Sequence, residues 1–426
     1  MSIKHLAASL TLALPLLAGC RSDQSLNPPA VSDPIFRRYA ALGNSITAGF
    51  QSAGINDSTQ RRSYAALLAA AMGTTYNYPS LAGRGCPPPF INNVTQSRGP
   101  GATAATCDLR NPTLDLLNNV AVPGNVVANL YTNFGPPPSQ FDPLKTIFLG
   151  GRTELELVQL LRPTFASVWI GSNDVLGALI SSTNAGDSTQ ITPLASFTVA
   201  YDSVVTVLKG TGAKVVLINV PNVTNIPYAS LGAIYWCAKN GGALPGGRCP
   251  APLPPPNPLL TAIPTFTVNN NCAPSAPGIG LATLIPWPVA LTKLGAAQQG
   301  VPSEVNCVTA NEAISSAEIT AMGTAVAGFN AHIAQVAADN GWALVNIDSV
   351  LTDQRNNVPG AVLPFPDVST LPAGPIRFGT LFSLDGVHPS SQTHRLVADL
   401  AAAAINKKYG TTLSIPICGT VTCPAP

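Results

Sequence analysis

Four short apolar runs constrain what this chain can fold into more than any other feature of its sequence. They are RRYAALG (37–43), FASVWIG (165–171), KVVLINV (214–220) and GWALVNI (341–347). Their apolar residues are continuous rather than alternating, which is the pattern of a strand covered on both faces. Helical signals lie between and beyond them. SYAALLAAAM (63–72) is one, and the end of a second runs from Leu157 into a break at Pro163. LASFTVAYDSVVTVLKGTG (194–212) closes on a Gly. Ser315 and Glu318 fit a capping box, followed by Ile319, Met322, Val326, Phe329, Ile333 and Val336 along one helix face. SSQTHRLVADLAAAAINKKYG (390–410) predicts a last helix ending at Gly410. Strands alternating with helices imply a parallel sheet in a three-layer α/β domain.

The first 35 residues do not belong to that pattern. Lys4 precedes an apolar run, Leu6 to Leu17, broken at Pro15. The run falls short of the roughly 20 residues that span a bilayer and has the form of a signal peptide. It ends in LAGC (17–20), which resembles a bacterial lipobox. That resemblance implies cleavage before Cys20 and lipidation of its thiol, with residues 21–35, polar and Pro-rich, as a tether. Arg21, rather than an Asp, follows the Cys, so the expected location is the outer membrane of a bacterial cell envelope. No later apolar run is expected to span a membrane. The net charge of +2, without a cluster of Lys and Arg, argues against a nucleic-acid partner.

Nine Cys, less Cys20, leave an even set for an exported chain. Roughly a hundred pairings are open to eight cysteines. Pairing of neighbours is the simplest expectation: Cys86 with Cys107, Cys237 with Cys249, Cys272 with Cys307, and Cys418 with Cys423 in a C-terminal tail, 411–426. No C-x-x-C occurs, and neither a metal nor a cofactor is expected. Residues 74–115 read as irregular. Residues 229–312 are rich in Pro and Cys and nearly uncharged, which predicts a stapled insertion and a possible lid. The main domain is then 36–228 together with 313–410.

Ligands of a parallel α/β sheet bind beyond the carboxyl ends of its strands. GNSITAGF (43–50) follows the first strand and places Ser45 in the turn. NNVAVPG (118–124) ends on Gly124, GSND (171–174) contains Asn173, and FSLDGVHPS (382–390) puts Asp385 three residues before His388. Ser, Gly, Asn and Asp-x-x-His in this order resemble the SGNH, or GDSL, hydrolase family. The resemblance covers the catalytic regions at both ends of the chain and excludes most of 229–312. It implies a three-layer αβα, flavodoxin-like SGNH hydrolase fold. It also makes Ser45 the nucleophile, His388 its general base and Asp385 the group that orients His388. The backbone N–H groups of Ser45 and Gly124 and the side-chain amide of Asn173 would form an oxyanion hole. One position departs from the family: Asn44 stands where an Asp usually precedes the nucleophile.

The activity implied is hydrolysis of carboxylic esters, lipid or acylated glycan, through an acyl-Ser45 intermediate. A carbohydrate O-deacetylase, an acyltransferase and a non-catalytic glycan- or lipid-binding lipoprotein remain open, as do the acyl length and the alcohol part. No chemistry is expected of His332 or His394, and no G-x-S-x-G elbow is present.

Overall fold

The computed structural model describes residues 31–108, 116–132, 134–135, 140–141, 143–241, 257–274, 278–369, 371 and 374–415. Cys20, Cys249, Cys418 and Cys423, with the expected leader and most of the expected tether, lie outside the described residues.

All four apolar runs are strands of one parallel sheet: β1 (Tyr39–Gly43), β2 (Phe165–Trp169), β3 (Lys214–Ile218) and β4 (Ala343–Val345), adjacent in that order. Beyond β1, Asn119 makes a parallel bridge to Ala41. Counting that segment as the second along the chain, the spatial order is 2-1-3-4-5. This is the flavodoxin-like order of a doubly wound sheet.

Side chains alternate across the sheet and explain why the runs are continuous. Ala40, Leu42, Ala166, Val168, Val215 and Leu217 enter one core. Tyr39, Ala41, Phe165, Trp169, Val216 and Ile218 enter the other. Helices α1 (Ser45–Ala48) and α2 (Tyr64–Met72) follow β1, and α3 (Glu154–Leu161) precedes β2. Then come α4 (Asn173–Ile180) and α5 (Leu194–Thr211). Helices α3, α4, α5 and the long helix of residues 316–340 cover the first face, while α2 and the last helix, residues 391–409, cover the second. The expected capping box at Ser315 and Glu318 is formed, and Gly410 is the left-handed C-cap of the last helix.

Residues 188–211 include the most apolar long helix among the described residues. By length and hydropathy that segment could cross a membrane. In the fold, Phe197, Ala200, Tyr201, Val204, Val205 and Leu208 of α5 bury one face against the sheet core.

The insertion is ordered where it is described. It holds α6 (Gly232–Asn240) and α7 (Trp287–Gln298). Ala229–Leu231 pairs antiparallel with Leu284–Pro286, and Phe266–Val268 pairs parallel with Ser303–Val305. Disulfides join Cys86 to Cys107 and Cys272 to Cys307. Cys237 is disulfide-bonded as well. A third core of Tyr235, Trp236, Phe266 and Leu294 extends to Val368, Ile376 and Phe378, which lie in the loop before Asp385.

His394 is fully buried in the last helix, and its Nδ1 accepts the Tyr64 N–H at 3.2 Å. Burial, then the proximity of His388, lowers its pKa from 6.5 to about 3. The unfolded chain therefore binds a proton below about pH 6.5 that the folded chain refuses until about pH 3. Stability from this group is complete above pH 6.5 and falls as pH drops towards 3. Urea midpoints measured across that range should decline, and the decline should be shallower in His394→Gln; an identical slope in the two proteins would assign acid lability to other groups.

Candidate active site

The turn after β1 is built around close backbone approach. A Cβ on Gly43 would lie 2.3 Å from Thr47 Oγ1 and 2.4 Å from the Trp169 carbonyl, so only Gly lets β1 and β2 meet here. Asn44 caps α1, its Oδ1 accepting the Ile46 N–H at 3.2 Å. Ser45 thereby becomes the first helical residue, with its N–H facing out of the helix N-terminus.

The spacing of Asp385 and His388 has a direct physical reason. Oδ1 of Asp385 accepts the backbone N–H groups of Val387 (2.9 Å) and His388 (2.8 Å), closing the turn. Oδ2 takes His388 Nδ1 at 2.8 Å. One carboxylate thus fixes both the backbone and the ring of the same residue. With Nδ1 donating to Asp385, Nε2 is left as the acceptor, and it stands 2.9 Å from Ser45 Oγ, across 343 residues of chain. The ring of Phe50 packs against the imidazole, centroids 4.8 Å apart. Burial pushes the Asp385 carboxyl up, but His388 beside it and the two N–H groups more than reverse this and bring it down to about 2.

A second set of bonds holds the two loops together. Asp385 Oδ2 also accepts the Ala53 N–H at 2.6 Å, and Ser383 Oγ accepts the Ser52 N–H at 2.8 Å. Leu384 N–H donates to Ser52 Oγ at 3.2 Å. Ser52 and Ala53 both have φ of 53°, a strained conformation for residues with a Cβ.

Gly124 and Asn173 are brought to the same place. Gly124 has φ of 86° and open space where a Cβ would be. Neither its N–H nor that of Ser45 finds a backbone acceptor among the described residues. Asn173 Nδ2 donates to the Asn125 carbonyl at 2.9 Å, which orients the amide and leaves its second N–H.

Beneath this loop lie two buried carboxylic acids that the sequence did not single out. Glu154 accepts the Gly43 N–H (3.1 Å) and Asn125 Nδ2 (2.7 Å). Asp174 accepts the Val127 N–H at 3.0 Å. Burial raises Glu154 to about 8, with the donors at Gly43 and Asn125, then Lys145, pulling the other way. Burial likewise raises Asp174 to about 7. Glu154 stands in the first turn of α3, where an acidic residue usually needs no explanation beyond the helix dipole. Nothing local in the sequence marks it as buried.

A cavity of about 470 Å³ opens on Ser45, Gly124, Asn173 and His388. Its other walls are largely apolar: Phe50 and Phe90, Leu176 and Ile180 of α4, Tyr228, Phe378 and Leu384, and from the insertion Trp287, Pro288 and Leu291. Asn93 also lines it, but its amide is spent on the carbonyls of Ile376 and Leu384 and the N–H of Ile376. His332 and His394 lie elsewhere: His332 contacts Asp202 at 3.0 Å, and His394 is enclosed in the core. No group of metal-ligating residues occurs among the described residues.

No protein-family model matches the chain, and no curated protein does. Among solved structures the chain is similar to a catalytic mutant of Axe2, an acetylxylan esterase from Geobacillus stearothermophilus. Identity is 12% and the TM-score 0.36, over 89% of this chain and 97% of that one. It is also similar to a GDSL-like lipase from Parabacteroides merdae, at 10% identity and a TM-score of 0.33 over 87% and 96%. LAE5, an alpha/beta hydrolase enzyme from the metagenome of Lake Arreo, gives 13% and 0.37 over 88% and 97%.

A carboxylate, an imidazole and a hydroxyl in this order can remove the hydroxyl proton as the oxygen attacks an electrophile. An amide at position 385 would donate to Nδ1 and leave Nε2 protonated, unable to accept from Ser45. Asp385→Asn should therefore slow labelling of Ser45 by a fluorophosphonate at neutral pH by about 10³ to 10⁴. Labelling at the wild-type rate would show that the carboxylate does not set the ring's tautomer.

Proposed function

We propose that this protein is a serine esterase of the SGNH hydrolase kind, acting on carboxylic esters. The observation that carries the reading is the continuous Asp385–His388–Ser45 relay, opening on a cavity beside two N–H groups without backbone acceptors. Ser45 Oγ attacks the ester carbonyl while His388 Nε2 takes its proton. The carbonyl oxygen, now negative, is received by the N–H groups of Ser45 and Gly124 and the free N–H of Asn173. The alcohol leaves with the proton from His388, and water activated by the same nitrogen releases the acid from Ser45.

The cavity favours an apolar acyl group. Each hydroxyl of a sugar buried there would need a partner, and the lining offers few beyond the catalytic groups. Trp287, Pro288 and Leu291 make the insertion a wall of this acyl pocket, the role we assign to 229–312 within a domain formed by 36–228 and 313–410. Each CH₂ placed against that wall contributes up to about 0.8 kcal/mol, so four of them discriminate by about two orders of magnitude. The reading is tested with esters of graded acyl length and acetylated sugars. The wild type should prefer medium-chain esters. Ser45→Ala should lose about 10⁴ to 10⁶ in kcat. Leu291→Ala should weaken medium-chain hydrolysis more than acetyl hydrolysis. An active Ser45→Ala protein removes the assignment, and equal losses on both ester classes remove the acyl wall.

The lipobox-like LAGC supports export and attachment of the enzyme by Cys20 to the outer membrane, with 21–35 as the tether. Two or more acyl chains bind a membrane stably where one is marginal. Wild-type protein should sediment with membranes and Cys20→Ser should be released or accumulate unprocessed; the same soluble fraction for both would exclude the anchor.

A further inference from the structure

Three chain segments supply the donors of the oxyanion hole just described: the β1–α1 turn, the loop at Gly124, and the start of α4. They are far apart in sequence, and each must sit correctly to within a fraction of an ångström for its donor to count. One side chain reaches two of them directly and the third through one further bond. Glu154 Oε2 accepts the N–H of Gly43, two residues before Ser45, at 3.1 Å. Glu154 Oε1 accepts Nδ2 of Asn125, the residue after Gly124, at 2.7 Å. The carbonyl of that same Asn125 accepts the side-chain amide of Asn173 at 2.9 Å. Glu154 and Asn125 are 0% and 1% exposed, so neither bond competes with water. Lys145, also buried, donates to the carbonyls of Asn129 and Thr132 and holds the far end of the same loop.

A carboxyl group suits this position for a geometric reason, since either of its oxygens can accept whether or not it carries a proton. Both contacts on it are N–H donors, one to each oxygen. Glutamine would have to turn its own NH₂ towards either Gly43 or Asn125, losing one bond and opposing two donors.

We propose that Glu154 is a positioning residue that sets the mutual spacing of the three oxyanion donors, acting through Gly43 and through the Asn125–Asn173 bond. The proposal rests on the esterase reading above. It distinguishes Glu154 from a carboxyl group that merely fills space under the loop, because a gain in spacing is realised only in the transition state.

The test is a double-mutant cycle on kcat, with active sites counted by fluorophosphonate labelling so that unfolded protein does not enter the rate. Glu154→Gln should lower kcat per labelled site by about 10- to 100-fold, with KM within about twofold of wild type. Asn173→Ala should lower it by about 10² to 10³. Because both changes act through one donor set, the combined variant should be much less impaired than the product of the two losses. Unchanged kcat per site in Glu154→Gln, or losses that multiply in full, would overturn the proposal. If Glu154→Gln does not fold, Asn125→Ala cuts only the bridge and reads the same cycle; full multiplication with Asn173→Ala again overturns it. Loss of the esterase reading itself would show separately, as activity that survives Ser45→Ala.

Discussion

The site depends on a clasp between two loops from opposite ends of the chain. Ser45 and His388 sit on turns that belong to different strands, and nothing within either turn would bring them to 2.9 Å. The bonds from Ala53 and Ser52 to Asp385 and Ser383, with the return bond from Leu384 to Ser52, do so. The clasp has a cost: two successive residues with a Cβ are held at φ of 53°, about 1 to 3 kcal/mol each. That cost is offset because the same Asp385 oxygen that receives Ala53 also receives His388 Nδ1. Assembly of the relay and joining of the two ends of the domain are one event, so the relay's geometry is as stable as the fold around it.

The rest of the architecture determines what the relay faces. In a 2-1-3-4-5 sheet the direction of strand addition reverses between β1 and β2, and a crevice forms at their carboxyl ends. Ser45 and Asn173 follow those two strands, and Gly124 follows the segment outside β1. The insertion leaves the same rim and returns to it: Ala229–Leu231 pairs with Leu284–Pro286, and Leu284 also exchanges both backbone bonds with Ile314. Its core closes on Phe378 and Ile376, just ahead of the Asp385 turn, and Phe365 meets the rings of Tyr235 and Trp287 edge-on. The cavity wall and the loop that leads to Asp385 and His388 therefore share one apolar core.

What could be read from the sequence follows the range of the interactions concerned. The strands were legible because double-sided burial imposes continuous apolar runs, and the helix at 316–340 because its cap and periodicity are local. The convergence of Ser45, Asn173 and His388 was legible because each falls in a turn where such a sheet gathers its loops. The disulfides Cys86–Cys107 and Cys272–Cys307 followed from proximity along the chain. Glu154 was not legible, since an acidic residue in a helix's first turn looks solvated until the loop that covers it is placed. The clasp at Ser52 and Ala53 was equally hidden, because its partners are more than three hundred residues away. The engaged N–H of Asn173 was hidden for a similar reason: the sequence shows an amide, and only the fold shows that the Asn125 carbonyl orients it.

Asn44, where the SGNH hydrolases that the sequence resembles carry an Asp, has a structural role of its own. Position 44 is 1% exposed and its side chain is needed as an acceptor, to cap α1 through the Ile46 N–H. Aspartate would serve the cap equally well and add a favourable charge at a helix N-terminus. Here, however, the adjacent Gly43 N–H is already taken by a buried carboxyl group, that of Glu154. Glu154 already carries the penalty of burial, which lifts it to about 8. Asparagine keeps the acceptor without a charge. The acidic group that braces the turn carrying Ser45 therefore comes from α3, through the Gly43 N–H, while the turn itself supplies a neutral cap.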